Sequence, residues 1–291
     1  MKNILRKIFY LFYNRLGNVY IKLIFYKPFF NFLYKNERKQ YARYFTKYNN
    51  SKIDDLVKKI KNDGIAFIHF DDLFNNIKFN DFRSWCLDAI DNDLDHSKGR
   101  KNYIDYFLDY DKIDNYSLLK KVLNDQNLFY VISSYLLNTT PKLNYFRIWR
   151  NNITSEKPKD SQLWHRDGDN LIICKCFIYL EDIDEDNGAT EYIKKSNYFG
   201  DLYSLNPSKA PKANYLDSLP NKFLENKIIA SGKAGTVMFV DTSGFHKGGR
   251  CTKNDRKLFT STFSLTHSFN KSKSNIIKSS RSENILSKLL R

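Results

Sequence analysis

The hydrophobic pattern of the chain changes at about residue 143, and this change constrains the fold more than any other feature. Before it, apolar residues recur mainly at helical spacing, whereas after it they alternate or form short runs typical of β-strands. The predicted strands cover residues 143–150, 162–167, 171–180, 189–193, 227–231, 235–240 and 257–265. Asn187-Gly188, between two of these strands, is typical of a β-hairpin turn. The sequence therefore predicts a mainly β core.

Three segments before this core are predicted to be helical. The first begins at Ser51 and ends at Gly64, and its apolar face consists of Ile53, Leu56, Val57 and Ile60. The others are residues 81–91 and 117–137, the latter with a break near Asp125. Residues 65–70 form a predicted strand after the first helix. The predicted fold is mainly β with flanking helices, and a chain of 291 residues can build it as one large domain.

The predicted strands bring together three residues with metal-binding side chains. His165 and Asp167 are two positions apart, so in an extended strand both point to one face while Arg166 points to the other. A second strand must then deliver His246. Two neutral imidazoles and one carboxylate cover one face of an octahedral ion and leave three positions open, as in non-haem iron(II) sites. We predict that His165, Asp167 and His246 bind iron and form the catalytic centre.

The open metal positions suit a chelating keto acid and O2. A dicarboxylic keto acid such as 2-oxoglutarate also needs a fixed cation for its far carboxylate, and a guanidinium is planar and permanently charged. Arg256 is the best-placed candidate, because it begins the last predicted strand on that strand's more polar face. The alternative is that Arg256 is a solvated surface cation. Arg250 lies in a turn only four residues after His246, which is a poor position from which to reach into a barrel.

Three further features have alternative interpretations. Lys175 lies on an otherwise apolar strand, where it either binds a carboxylate of the co-substrate or extends to solvent. His69 and Asp71 repeat the His-x-Asp spacing, but they lie where an early apolar strand meets an acidic loop, so we predict a structural role. Residues 196–226 contain three prolines and form either a lid over the site or a surface excursion.

The order of these residues resembles the phytanoyl-CoA dioxygenase family of iron(II) and 2-oxoglutarate oxygenases. The resemblance extends over about residues 55–266, and the parts that carry it are residues 163–167, 175–182, 187–190, 241–246 and Arg256. It implies a double-stranded β-helix core of the jelly-roll, cupin-like type. It also implies that Fe(II) is bound by His165, Asp167 and His246. By the same resemblance, Arg256 binds 2-oxoglutarate, and O2 is the second co-substrate.

The resemblance also implies a reaction class. Family members that halogenate lack the metal carboxylate, whereas Asp167 is present here, so hydroxylation or desaturation of a C–H bond is favoured. The expected substrate is a small molecule or a lipid-like compound. The alternative is a non-catalytic jelly-roll protein that acts as a scaffold through its basic ends, at a membrane or a nucleic acid. A nucleic-acid demethylase is disfavoured, because the positive charge lies at the ends of the chain.

Positive charge is concentrated at both ends of the chain. The formal net charge is +16; residues 1–50 carry eleven Lys or Arg against one Glu, and residues 267–291 carry six against one Glu. The central part is nearly neutral, as a catalytic domain for a small ligand can be. We therefore predict a basic, aromatic, helical N-terminal segment (1–50), an oxygenase domain (51–266) and a basic C-terminal tail (267–291).

The N-terminal segment alternates basic residues with bulky apolar ones, and neither of its apolar runs reaches the roughly 20 residues that span a bilayer. It can lie on an anionic membrane surface or pack against the barrel as a helix, and contact with nucleic acid is less favoured. Asn14 and Arg15 interrupt the apolar run and no small-residue cleavage site follows, which argues against a signal peptide. The sequence thus predicts a cytoplasmic protein, with peripheral membrane contact as an open alternative.

Overall fold

Helices precede most of the strands in this computed structural model, which describes residues 27–45, 48–98, 103–167, 172–203 and 215–265. Helices α1 to α8 cover Lys27–Leu33, Lys35–Phe45, Ser51–Asp63, Phe70–Leu73, Phe79–Asp91, Ser117–Leu123, Gln126–Tyr135 and Asn221–Leu224. Strands β1 to β10 cover Ile65–His69, Ser97–Lys98, Ile104–Phe107, Pro141–Asn151, Cys174–Tyr179, Thr190–Ile193, Lys227–Ala230, Thr236–Asp241, His246–Lys247 and Arg256–Leu265. Short 3₁₀ helices cover Tyr110–Asn115, Asp160–Gln162 and Asp201–Tyr203.

The strands form two antiparallel sheets. The larger sheet has the order β1-β8-β5-β10-β4-β3-β2, and the smaller sheet has the order β7-β6-β9. β10 lies at the centre of the larger sheet, where it pairs with β4 along its whole length and with β5 from Leu258 to Phe263. Most neighbours in the larger sheet come from distant parts of the chain, whereas β2, β3 and β4 are consecutive, and the chain crosses repeatedly between the sheets. This topology is typical of a jelly roll.

The alternation of side chains separates the two faces of the larger sheet. Cys174, Cys176 and Ile178 of β5 face a core that they share with the helices. Phe177 and Tyr179, on the opposite face, pack towards the smaller sheet. The helices therefore cover the outer face of the larger sheet, and its inner face borders the space between the sheets. Cys174 and Cys176 are buried, and both thiols are free.

The helices before the β core form much as the sequence predicts. α3 buries the four apolar residues at 53, 56, 57 and 60, and it ends where Gly64 adopts the left-handed conformation with φ +79°. The predicted helix 117–137 is divided into α6 and α7 at Asp125. The Asp125 carboxylate accepts hydrogen bonds from the backbone N–H groups of Asn127 and Leu128, so it caps α7 and explains the break.

Gly64 connects α3 directly to β1 and provides a sharp test of this packing. A Cβ at this position would collide with the Tyr192 hydroxyl and the Asn197 side chain, and φ would remain positive. We expect Gly64→Ala to lower the free energy of unfolding by roughly 2–5 kcal/mol, from backbone strain and overpacking together. Urea unfolding of the two proteins measures this difference. Gly248→Ala is the matched control, because a Cβ there would meet only the Ser161 carbonyl at 3.5 Å; equal losses in both variants would contradict the prediction.

The predicted strand 162–167 is wrong. Residues 160–162 form a 3₁₀ helix, and the following residues make only isolated bridges, Trp164 with Leu216 and His165 with His246. The apolar alternation is present, but the neighbouring segments pair with it at single positions and form no continuous ladder. His165 and Asp167 are nevertheless both held by backbone hydrogen bonds, His165 to His246 and Asp167 to Thr242.

The predicted hairpin at Asn187-Gly188 is also wrong. The strands on either side, β5 and β6, belong to different sheets, so the turn carries the chain from one sheet to the other. The local turn itself forms: Gly188 has φ +81°, and the Asn187 side chain accepts a hydrogen bond from the Asp184 N–H and donates one to the Asp182 carbonyl. The dipeptide specifies the local backbone, and long-range packing decides which strands pair.

The described part of the predicted N-terminal segment packs on the helical layer. The hydroxyl oxygens of Tyr41 and Ser134 lie 2.5 Å apart, and the rings of Tyr48 and Tyr130 stack at 3.9 Å. Residues 1–26 and the predicted tail 267–291 lie outside the described residues. Within the described ranges, no helix combines the length and apolar character that crossing a membrane requires.

Candidate metal centre and its cavity

The candidate site lies in a cavity of about 920 Å³ that the inner face of the larger sheet helps to form. The residues that the sequence assigns to the metal and its co-substrate all line this cavity: His165, Asp167, Lys175, His246 and Arg256. They come from the segment before β5, from β5 itself, and from β9 and β10. The fold thus brings together side chains that are up to 91 positions apart in the chain, from 165 to 256.

Backbone hydrogen bonds hold the three candidate ligands in one place. His165 and His246 form a reciprocal antiparallel bridge, with both N···O distances 2.9 Å, and the Asp167 N–H donates to the Thr242 carbonyl at 2.8 Å. The imidazole centroids are 4.2 Å apart, and His165 Nε2 lies 4.0 Å from Asp167 Oδ1. One potential ligand atom from each residue lies within 4.8 Å of the others. In the part of the chain that the structure describes, this is the one group of three with metal-binding geometry.

Both histidines are oriented for a metal. His165 Nδ1 lies 2.8 Å from the Leu163 carbonyl oxygen, and His246 Nδ1 lies 3.0 Å from the Gly244 carbonyl oxygen. A carbonyl oxygen only accepts, so Nδ1 carries the proton and Nε2 keeps its lone pair, as metal binding requires. Burial, together with the neighbouring His165, lowers the pKa of His246 to about 3, so this imidazole is neutral. The donor set therefore fits a divalent metal such as iron(II).

Lys175 binds the carboxylate of the candidate site. Its Nζ lies 2.6 Å from Asp167 Oδ2, while the other oxygen, Oδ1, is the one nearest His165. Burial raises the pKa of Asp167, but the charge of Lys175 and the two imidazoles outweigh it and hold that pKa well below its usual range. The carboxylate partner of Lys175 in this structure is therefore the protein's own Asp167, and a direct role in binding 2-oxoglutarate stays a prediction.

This contact makes metal binding depend on Lys175. We expect Lys175→Met to weaken metal binding by roughly 10- to 100-fold, as loss of a group that orients a metal ligand usually does. Without the Lys175 charge the pKa of Asp167 rises, and a ligand must be deprotonated, so the loss of metal on acidification should begin at a higher pH. Titration with Co(II), followed by its visible spectrum across the mildly acidic range, measures both effects.

Lys233→Met is the control for this prediction, because Lys233 makes an ion pair of 2.7 Å with Asp182 on the exposed surface. It should leave Co(II) binding unchanged at every pH. If Lys175→Met lost Co(II) at the same acidic pH as the wild type, the Lys175 charge would not control the ionisation of Asp167.

Arg256 is a buried cation without a counter-charge in the described residues. Its side chain donates to Asn151 Oδ1 from Nε and Nη2, at 3.4 and 3.2 Å, and to the Gly188 carbonyl from Nη1. Only 4% of Arg256 is exposed, which excludes the alternative of a solvated surface cation. Neutral partners leave the positive charge uncompensated, and a buried charge of this kind favours an anion in the cavity. Arg250, in contrast, is partly exposed and donates to the Glu156 carbonyl.

Other residues of the sequence prediction have structural positions. His69 Nδ1 accepts a hydrogen bond from the Asp71 N–H and caps α4, consistent with the structural role predicted for this pair. Trp164 packs in a small apolar cluster with Phe223 and Phe245. Of the predicted insertion 196–226, residues 204–214 lie outside the described residues, whereas Tyr215 lines the cavity with its ring 5.4 Å from that of His165.

Sequence reasoning missed the buried group that supports the His246 segment. Asp241 accepts hydrogen bonds from the N–H groups of Ile173 and Ser243, at 3.2 and 2.8 Å, and from the Tyr135 hydroxyl at 2.5 Å. Burial raises the pKa of Asp241 to about 6. This network joins α7 to the start of the segment that carries His246. The available signal was a single acidic residue at the end of an otherwise apolar strand.

The fold has known counterparts. The epimerase SnoN, solved with Fe3+, alpha ketoglutarate and nogalamycin RO, superposes with a TM-score of 0.55 and 12% identity over 75% of this chain and 85% of that one. SnoK, a non-heme alpha ketoglutarate dependent carbocyclase from nogalamycin biosynthesis, gives 0.52 and 11% over 74% and 84%. At these identities the likeness concerns the fold, and it confirms the predicted jelly roll with flanking helices. A comparison with curated proteins found no match.

The sequence itself matches a family. The family model described as phytanoyl-CoA dioxygenase (PhyH) matches residues 120–258, a range that begins in α6 and extends into β10. It includes the three candidate metal ligands, Lys175 and Arg256. With the fold and the order of these residues, this match shows that residues 120–258 are similar to the phytanoyl-CoA dioxygenase family.

Proposed function

We propose that this protein is an iron(II)- and 2-oxoglutarate-dependent dioxygenase that oxidises a C–H bond of a small-molecule or lipid-like substrate. The observation that carries the proposal is the combination of two features on one cavity. The first is the group His165, Asp167 and His246, with both imidazole Nε2 atoms available to a metal. The second is the buried Arg256, whose charge has no counter-ion among the described residues.

Each residue of the candidate site has a defined task in this proposal. His165, Asp167 and His246 would hold iron(II), and Lys175 fixes the second oxygen of the Asp167 carboxylate. Arg256 would bind the far carboxylate of 2-oxoglutarate with its planar guanidinium. Iron, 2-oxoglutarate and O2 together supply the oxidative decarboxylation that is coupled to C–H oxidation. The chain orients the substrate and excludes water, for which the aromatic residues Trp149 and Phe177 on the cavity wall are suited.

Hydroxylation or desaturation is the outcome that we propose. Asp167 occupies the position of the metal carboxylate, and its second oxygen is held by Lys175 at 2.6 Å, so the chain provides three ligands. The solved structures named above are those of an epimerase and a carbocyclase, so other outcomes of C–H oxidation are tested alongside hydroxylation and desaturation. Product analysis after a substrate screen distinguishes these outcomes.

We also propose the three-part division of the chain, with the oxygenase domain at residues 51–266 and basic segments on either side. α1 and α2 support the packing alternative for the second half of the N-terminal segment, because Phe30 and Tyr34 are buried in the main core. Peripheral contact of the basic ends with a membrane remains compatible with catalysis in the cavity. A purely non-catalytic scaffold would have no use for an uncompensated buried arginine beside a metal-binding group.

An anaerobic absorption titration tests the proposed function. Metal-free protein is titrated with iron(II) and then with 2-oxoglutarate, and a visible metal-to-ligand charge-transfer band should appear only when both are present. Admission of O2 should then yield succinate. The absence of both the band and succinate would overturn the proposal and favour the scaffold alternative.

A further inference from the structure

A second arginine lines the cavity. β4 presents Tyr145, Arg147 and Trp149 on its inner face, and all three border the same space as the candidate metal ligands. The Arg147 guanidinium lies over the Tyr106 ring, 4.5 Å from its centroid, and 5.9 Å from that of Tyr145. Within the described ranges its contacts are with these aromatic faces, and no carboxylate forms an ion pair with it. Stacking fixes the plane of the guanidinium and leaves its N–H edge for a ligand.

We propose that Arg147 and the Trp149 indole N–H form a binding site for a carboxylate of the substrate. This inference rests on the proposed function, because it assigns the chemical class of the molecule that is oxidised in the same cavity. A guanidinium edge presents two parallel N–H groups to the two oxygens of a carboxylate. One guanidinium also matches the single negative charge of a carboxylate better than the double charge of a phosphate.

Two neighbouring buried polar groups also favour a ligand that carries hydrogen-bond acceptors. Trp149 Nε1 is buried and has no hydrogen-bond acceptor among the described residues. Arginine and the indole N–H can only donate, so neither satisfies the other. On β10, directly opposite Arg147, the Thr260 hydroxyl is also buried without a partner in the described part of the chain. A buried donor that lacks an acceptor is costly, and a carboxylate oxygen would remove that cost.

The strand register separates this site from the one assigned to 2-oxoglutarate. Arg147 pairs with Thr260, whereas Arg256 pairs with Asn151, four residues further along β4. The Cα atoms of the two arginines are therefore about 14 Å apart, given ~3.3 Å per residue and ~4.8 Å between strands. Two different carboxylates can thus bind at once.

The same register gives the position of this site relative to the metal. Lys175, which contacts Asp167, pairs with Thr262, two residues along β10 from Thr260 and on the far side of that strand from Arg147. Its Cα is about 12 Å from that of Arg147 by the same spacings. The substrate therefore carries its carboxylate several bonds away from the carbon that is oxidised.

Calorimetry with a matched pair of probes tests the site. Protein loaded anaerobically with iron(II) and saturating 2-oxoglutarate is titrated with 3-phenylpropanoate and with its neutral amide, 3-phenylpropanamide. The wild type should bind the carboxylate about tenfold more tightly or better, which is the effect expected for a charge-assisted contact. Arg147→Gln should lose this preference while its affinity for the amide, which reports an intact cavity, stays the same.

Arg150→Gln is the matched control. It lies on the same strand but faces away from the cavity, where it pairs with Asp105 at 3.0 Å. This variant should keep the preference for the carboxylate. Equal binding of the two probes by the wild type, or an equal loss of preference in both variants, would overturn the assignment. A weaker affinity of Arg147→Gln for 2-oxoglutarate itself would also overturn it, because Arg147 would then belong to the co-substrate site.

The two proposals fail in different ways. The charge-transfer band reports iron and 2-oxoglutarate without any probe, whereas calorimetry reports the probe without any band. A band without a carboxylate preference overturns the Arg147 site alone. A carboxylate preference that depends on Arg147, in a protein that shows no band, overturns the proposed oxidation and supports the anion site.

Discussion

Replacement of His165 by alanine is expected to abolish the charge-transfer band and to lower 2-oxoglutarate turnover by at least about 100-fold. Loss of a group that only orients a metal ligand costs roughly 10- to 100-fold in metal affinity, and loss of a ligand should cost more. His165 is also held by its reciprocal backbone bridge to His246, which the substitution does not remove. The remaining ligands should therefore stay in place, and the loss would be that of one donor atom. Anaerobic absorption titration and succinate release measure the two effects.

The chain provides its own control for this experiment. His69 and Asp71 have the same sequence spacing as His165 and Asp167, but His69 caps α4 and packs against Phe79. His69→Ala should keep the band and the turnover. If the His165 variant kept the band, or if both variants lost it, the assignment of the metal centre to His165 would be refuted. Circular dichroism of each variant separates loss of metal from loss of fold.

Replacement of Arg256 by alanine is expected to raise the concentration of 2-oxoglutarate needed for half-maximal turnover by roughly 10- to 100-fold. This corresponds to about 1.5–3 kcal/mol, the usual contribution of hydrogen bonds to a charged group. Iron binding without 2-oxoglutarate should change little, because Arg256 contacts Asn151 and Gly188 and none of the candidate ligands. Arg256→Lys should restore only part of the affinity, since an ammonium lacks the planar pair of donors. Steady-state kinetics at varied 2-oxoglutarate measures the effect.

Arg250→Ala is the matched control for Arg256. Both arginines follow His246 in the sequence, but Arg250 is bound to the Glu156 carbonyl outside the cavity. Its replacement should leave the requirement for 2-oxoglutarate unchanged. If Arg250→Ala raised the required concentration of 2-oxoglutarate more than Arg256→Ala does, the carboxylate would be bound by Arg250, contrary to the assignment from strand parity.

The predictions from sequence succeeded where a local signal carries the information. The apolar spacing of α3 follows from short-range geometry, and it agrees with the structure. Predictions failed where pairing decides the outcome. The hairpin at Asn187-Gly188 is absent because β5 finds its partners in β8 and β10, while β6 pairs with β7 and β9. The same turn residues fit a hairpin and a crossing between the two sheets, so they could not distinguish these two topologies.

The sequence alone determined the chemical inventory and its order: two histidines and one aspartate for a metal, and an arginine ten residues after the second histidine. Donor chemistry and a two-residue period are local properties, so one chain suffices to predict them. The tertiary structure alone decided that Lys175 contacts Asp167 and that Arg147 shares the cavity with both. These contacts depend on which distant strands become neighbours and in which register, and the burial of the whole core determines that choice.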